Sequence, residues 1–530
     1  MVSVRLRHPA RRLLQDPRGE RAGAAAGFLG IDGRSGARQR HPVGQELLPL
    51  GRSADADAGS GGWRQCGVQH ARALDVRARA ASGVLHHLDA SRVLRGAIRM
   101  KYVAVAKNGI PWRGGLFAAV LIGTTACSIE VVNPGRVQEE FLSEVEAQEA
   151  IVAGIGRAVA EAHNYVGYTG AAVTREVHPS GSTGSFGIQP EWQNGELDYE
   201  TVNTHWNLSQ RARWWGDDGI AKINETGAED QALLAEAYLW AGYANRLLGE
   251  NFCMAVIDGG GAQDRSIYYS RAIERFSQAA SLGSGDLSMA AVAARASVKA
   301  FMGDWAGAVA DAATVPDGFV WNLPYFATEG NATRNRIQFA SQNEPYKAHT
   351  VKFTKYEDYG MSENNPTGDP RIPFRITDET GDAAVQCCGQ VPWWPQTKYE
   401  DSGSDIPLSK GTEMRLIEAE AMLQEGDWQG AMGKINALRM AAGVEPAMAT
   451  SAVEAWTALK RERGIVLWLE GRRLGDFFRW NRDNTPGGLH ALETASGSQF
   501  EGSHLVQQDL CFPIARSEVD TNPNVGGPTG

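Results

Sequence analysis

A six-residue motif occurs twice, as Gly303-Asp304-Trp305-Ala306-Gly307-Ala308 and as Gly426-Asp427-Trp428-Gln429-Gly430-Ala431. Each copy follows an Ala-rich helical pattern, MAAVAARASVKAF at 289–301 and EMRLIEAEAMLQ at 413–424, and precedes a second helical pattern. In that position glycine ends the first helix, aspartate caps the next, and tryptophan folds back between them. The motif commits this part of the chain to helix hairpins.

Helical periodicity extends to the segments before it. Phe141, Val145, Ile151, Ile155 and Val159 recur at helical spacing, 229–248 is a helix dense in Ala, and 267–281 places Tyr268, Ala272, Phe276 and Ala279 on one face. The hairpins are of tetratricopeptide type, but the two motif copies are not spaced at that repeat's period. Between them residues 316–408 are rich in Pro, Gly, Asn and aromatics, too long for a structureless loop, so short strands and turns are expected there. The expected fold is mainly α: a tetratricopeptide-like helical-hairpin scaffold with a large irregular insertion, 316–408, containing short strands.

Charge divides the chain unevenly. Residues 1–99 hold 17 Arg and 8 acidic residues, with no Lys, Asn, Tyr or Thr, whereas residues from 128 onward hold 32 basic against 54 acidic residues, a net of −22. The Arg residues of 1–99 follow neither a helical nor a strand period, and nucleic-acid arms use Lys as well. This leader reads as sequence translated upstream of the true start, and no nucleic-acid partner is expected.

Met100 is followed by Lys101, Lys107 and Arg113, then by the apolar run 116–122, then by small residues up to Cys127. Positive, hydrophobic and small-residue regions in that order make 100–126 a secretion signal. It resembles a lipoprotein signal, in which Cys127 is lipidated and becomes the first mature residue, although Thr124 stands where that motif prefers Leu. The apolar run is too short to cross a membrane as a helix.

Of the remaining cysteines, Cys387 and Cys388 are adjacent and Cys253 and Cys511 stand alone. The vicinal pair could bridge to either single cysteine or stay reduced. No Cys or His falls at metal-ligand spacing, so neither a metal nor a cofactor is expected. H-E-x-x-H, G-x-S-x-G and G-x-x-x-x-G-K motifs do not occur, and the glycines of VIDGGGAQD at 256–264 read as a turn.

Residues 461–480, RERGIVLWLEGRRLGDFFRW, resemble the E-R, E-G-R, D and R-W signature of the SusD/RagB family of nutrient-uptake lipoproteins. CFPIARSEVDTNPNV at 511–525 resembles its closing P-I-x-x-x-E-x-x-x-N-P segment, and Asp369-Pro370-Arg371, the helix before Gly426 and CSIEVVNPG fit the same pattern, so 127–530 is expected to be one SusD/RagB-like domain. The resemblance implies a lipid-anchored outer-membrane protein that captures oligosaccharides or peptides. It further implies delivery to a SusC-like TonB-dependent barrel transporter, and binding without catalysis. An intracellular tetratricopeptide scaffold for protein partners and a glycan-active hydrolase are the rival readings. Within the signature, the spacings Glu470/Arg473, Arg472/Asp476 and Asp476/Arg479 suit exposed ion pairs on one packing helix, each contributing a few tenths of a kcal/mol, with Gly464 and Gly475 as points of kinking.

Sugar rings lay their C–H faces on aromatic rings while amide, acid or guanidinium groups satisfy the hydroxyls. The insertion offers such groups in Trp321, Tyr325, Phe326, Asn331, Arg334, Asn335, Trp393, Trp394 and Tyr399. Trp393 and Trp394 lie between prolines, and neighbours in an extended segment point to opposite sides, so one of them should face outward. The acidic body favours a neutral ligand over a polyanion.

Overall fold

The computed structural model describes residues 142–228, 230–328, 332–361, 365, 368–385, 388–495 and 505–527. The leader 1–99, the signal 100–126, Cys127, Phe141 and Asn331 lie outside the described residues.

Helix follows helix, as the periodicity requires: α1 (Gln148–Val173), α2 (Asn203–Thr226), α3 (Gln231–Asn251), α4 (Ser266–Leu282), α5 (Gly285–Met302) and α6 (Trp305–Ala312). After the insertion come α8 (Gly411–Gln424), α9 (Trp428–Ala441), α10 (Ala452–Val466), α11 (Arg473–Arg482) and α12 (Arg516–Thr521), while α7 (Arg336–Gln342) lies within it. Successive helices pack as neighbours from α1 to α6, and α8 packs on α6, α9 and α10. Tyr268, Ala272, Phe276 and Ala279 are all fully buried. Burying Phe276 alone contributes about 1.5–3 kcal/mol.

The repeated motif works as its residues dictate. Gly303 and Gly426 end α5 and α8 with φ of 81° and 86°, a left-handed conformation that costs glycine nothing. Asp304 accepts from the Gly307 N–H at 3.0 Å, and Asp427 from the Gly430 N–H at 2.9 Å. The second glycine of each motif leaves room for the cap, since a Cβ at Gly307 or Gly430 would lie within 2.2 Å of the capping carboxylate and displace it. Trp305 then packs on the Ala-rich core where α5, α6 and α8 meet, and Trp428 on the core of α8, α9 and α10.

The insertion is gripped at its base by an antiparallel pair, β2 (Val320–Leu323) with β4 (Ile406–Lys410), in the register Val320↔Lys410 and Leu323↔Ile406. A second clasp pairs β1 (His178–Pro179), just after α1, with β3 (His349–Thr350).

The 461–480 signature departs from a single helix. α10 ends at Val466, and a turn with Leu469 at φ 59° and Gly471 at φ 70° redirects the chain into α11. The break therefore falls between Gly464 and Gly475, both of which sit inside helices. Nor are the ion pairs exposed. Arg472 binds Glu250 and Glu413, each at 3.0 Å, Arg473 binds Glu493 at 2.7 Å, and Glu470 binds Lys398 and Lys410 at 2.7 and 2.6 Å. Of the three pairs suggested by spacing, Asp476–Arg479 forms, at 3.2 Å, and Asp476 also accepts both arms of Arg463. Asp476 is held down at about 2, against the burial that would raise it, by Arg463 and Arg479. Arg371 likewise pairs with Asp369 at 2.6 Å and with Glu462, so the Asp369-Pro370-Arg371 segment joins this buried network.

Cys253 and Cys511 form a disulfide across 258 residues, so the vicinal pair bridges neither single cysteine. Cys388 is also disulfide-bonded, and Cys387 lies outside the described residues. Beside the Cys253–Cys511 bridge, Phe512 N–H donates to Asn251 O and Cys253 N–H to Phe512 O, which fixes the closing segment against the end of α3. Cys253→Ser with Cys511→Ser is expected to cost about 2–5 kcal/mol, because closing so long a loop restricts the unfolded chain strongly. Urea unfolding of the variant beside the oxidised wild type measures it. Equal midpoints would refute the expectation.

Candidate ligand-binding site

The β1–β3 clasp sets the geometry of the insertion's outer face. Thr350, the last residue of β3, accepts through its hydroxyl from the backbone N–H groups of Trp394 at 2.8 Å and Lys352 at 3.1 Å, and Val351 N–H donates to Trp394 O at 2.9 Å. Lys352 and Trp394 are thus brought together from segments more than forty residues apart. The Trp394 indole is half-buried and stacks on Phe374, with ring centroids 6.0 Å apart and planes at 10°. The Lys352 ammonium lies 4.6 Å from its ring centroid and 3.1 Å from a Glu357 carboxylate oxygen. Phe353, at φ 64°, makes the sharp turn that puts Lys352 there, and its own N–H is taken by Glu357 at 3.1 Å.

An aromatic plate carrying a cation and a carboxylate suits a polyhydroxylated ring. The carboxylate accepts from hydroxyls, the ammonium donates to them, and the indole removes the ring's C–H face from water.

Other expected ligand residues are part of the core. Trp393 is 1% exposed and donates from its indole N–H to Ser341 O at 3.0 Å. Tyr399 is 3% exposed, its hydroxyl donating to Leu469 O at 2.9 Å, and Tyr325 is equally buried, donating to Ala160 O at 3.2 Å. Burial pushes both phenols well above their ordinary range. These three tie the insertion to the scaffold and offer no face to a ligand. Asn335 is fully buried as the cap of α7, accepting from Gln338 N–H at 3.0 Å. Trp321 is half-buried in β2 with its ring tilted against Trp240 at 6.2 Å, which places it on the scaffold side.

Arg334 remains half-buried, donating to Ala327 O at 3.0 Å with its guanidinium 5.5 Å from the Phe339 ring. Phe339 meets Phe186 edge-on at 5.4 Å, and Phe186 meets the exposed Tyr346 at 5.5 Å. Phe326 is exposed. Of the described candidates, Trp321, Trp394 and Arg334 are half-buried and Phe326 is exposed, and of these Trp321 faces the scaffold. Lys352, Glu357, Phe374 and Tyr346 had no signal in the sequence, since none stands in a motif and their contacts span different segments.

Residues 391–526 match the model of the SusD family, a stretch that includes Trp394, the ion-paired signature and the closing segment. Over this stretch the chain is similar to the SusD family. Its fold recurs in solved structures that share little sequence. A SusD superfamily protein from Bacteroides thetaiotaomicron VPI-5482 is 16% identical with a TM-score of 0.54, covering 72% of this chain and 99% of that one. A SusD-like carbohydrate binding protein from Bacteroides fragilis NCTC 9343 is 14% identical with a TM-score of 0.52, covering 73% and 100%. A SusD homolog from Bacteroides thetaiotaomicron VPI-5482 is 12% identical with a TM-score of 0.55, covering 74% and 99%. No curated protein matches the chain. Among the described residues, no helix is long and apolar enough to cross a membrane.

Proposed function

We propose that this SusD-like chain captures a neutral oligosaccharide on the insertion's outer face and passes it to a SusC-like, TonB-dependent barrel in the outer membrane. The observation that carries the reading is Trp394, a half-exposed indole backed by Phe374 and flanked by Lys352 and Glu357. The description of the similar Bacteroides fragilis protein as carbohydrate binding supports the ligand class. The Cys253–Cys511 disulfide supports export, because thiols in a reducing cytosol stay unbridged, and so weighs against an intracellular scaffold. Export through the 100–126 signal would leave Cys127 lipidated and the body tethered by it.

Binding without turnover fits the carboxylates in and around the 461–480 signature. Asp476 within it and Glu250, Glu413, Glu420 and Glu493, which its arginines reach, are buried and ion-paired, so none of these five is poised as a general acid or base.

Trp394→Ala is expected to weaken oligosaccharide binding by about tenfold, the loss of one aromatic plate, with the far-ultraviolet dichroism unchanged. Calorimetric titration with neutral oligosaccharides measures it, and undiminished affinity in the variant would reject the site.

A further inference from the structure

α2 carries an outward stripe that its packing does not explain. Asn207, Gln210, Arg211 and Trp214 recur at helical spacing, the pattern of a face that normally buries, yet Trp214 is 50% exposed. With Asp258 and Glu518 they line a groove of about 330 Å³, at the lower end of the range for small-molecule sites. The groove is built wholly from residues outside the insertion.

Its charges are already balanced. Arg211 pairs with Glu161, and Arg213, which also lines the groove, pairs with Asp217 at 3.0 Å and Asp258 at 2.7 Å. Glu518 accepts from the Trp206 indole at 3.1 Å and from Asn522 at 2.8 Å, and Gln210 donates to Tyr268 at 2.7 Å. Two polar groups keep capacity for a ligand. Asn207 uses its carbonyl oxygen, which accepts from Ser517 at 3.0 Å, and its NH2 has no protein partner among the described residues. Asp258 gives one carboxylate oxygen to Arg213, while its side chain is 60% exposed and the second oxygen has no protein partner among the described residues.

An exposed indole face, an amide donor and a carboxylate acceptor in a charge-balanced groove match one uncharged pyranose ring. We infer that this groove is a second saccharide site, holding one ring of a neutral oligosaccharide. Trp214 supplies the stacking face, and Asn207 and Asp258 bind hydroxyls. Arg213 holds Asp258 in place from the groove lining, at 2.7 Å. The inference rests on reading the chain as a saccharide binder, but the residues are separate from the Trp394 face.

The test is calorimetric titration of the purified full chain with gluco-, xylo- and mannohexaose, comparing wild type, Trp214→Ala, Asp258→Asn and Trp394→Ala. Two sites are expected in wild type. Trp214→Ala should leave one, and Asp258→Asn should weaken the same site by about tenfold. Thermal melting of each variant controls for folding, and an exposed Trp214 predicts an unchanged midpoint. If Trp214→Ala keeps both sites, or if Trp394→Ala alone removes all binding, the groove assignment fails while the insertion reading stands. If Trp214→Ala removes a site that Trp394→Ala leaves intact, the groove stands on its own. Wild-type protein that binds none of the three hexaoses overturns both.

Discussion

Arg479→Ala is expected to lower the unfolding free energy by about 3–5 kcal/mol, the usual cost of stranding a buried charge. Arg479 is 1% exposed and spans Glu420, at 2.9 Å from one guanidinium nitrogen, and Asp476, at 3.2 Å. Without it, Glu420 keeps, among the described residues, one neutral donor, the Trp480 indole at 3.0 Å, in a place that water does not reach. Desolvation of the stranded carboxylate is what costs, and the pair's own attraction contributes less. Arg479→Leu with Glu420→Leu should therefore be less damaging than Arg479→Ala alone. Urea unfolding at neutral pH distinguishes the cases, and a double variant as unstable as the single one would contradict the desolvation argument.

Acid is expected to destabilise the protein from below pH 6.5, well before the ion-paired Asp476 protonates. Burial lowers His163 to about 4 and both His205 and His349 to about 3, from an ordinary 6.5. Each ring is packed and bonded as a neutral group: His163 against the Tyr325 hydroxyl and Glu470 O at 3.3 Å, His205 on Thr169 at 2.8 Å, and His349 on Tyr168 at 3.0 Å. Between 6.5 and those lower values the unfolded chain binds protons that the folded chain refuses. Stability therefore falls as pH falls, by up to about 1.4 kcal/mol per pH unit for each imidazole. Glu176 opposes this, since burial raises it to about 7 and the folded state gains a proton there first, down to its unfolded value of 4.5. Three groups against one leave a net loss. Below 3.8, protonation of Asp476 adds to it as pH approaches 2. Unfolding midpoints at a series of pH values measure the slope, and His205→Phe should flatten it. A midpoint constant from pH 6.5 to 4 would rule out the imidazole account.

Local chemistry was legible wherever neighbours in sequence are neighbours in space. The Gly-Asp-Trp motif foretold both helix ends, both caps and the return of the tryptophan, because a cap needs only three residues. The face of α4 was equally plain, since its four residues are set by a 3.6-residue period. Trp393 and Trp394 diverge as an extended chain demands, one buried and one half-exposed, but only the fold decided which.

The signature at 461–480 marks the boundary of that legibility. Arginines and carboxylates three or four apart suggested surface pairs on one helix. Two left-handed residues in the turn after α10 send those arginines instead to Glu250, Glu413 and Glu493, which periodicity could not reach. Three of the candidate ligand residues were illegible for the same reason: Tyr325, Trp393 and Tyr399 have suitable chemistry but spend it on scaffold carbonyls.

By itself, then, the sequence determined the helical hairpins, their caps and the likeness to SusD, all properties of short spacings. The tertiary structure decided which aromatics keep a free face, which cysteines join and where each buried charge finds its partner. Those choices depend on burial and on contacts between distant segments, and only a folded chain brings such segments within reach of one another.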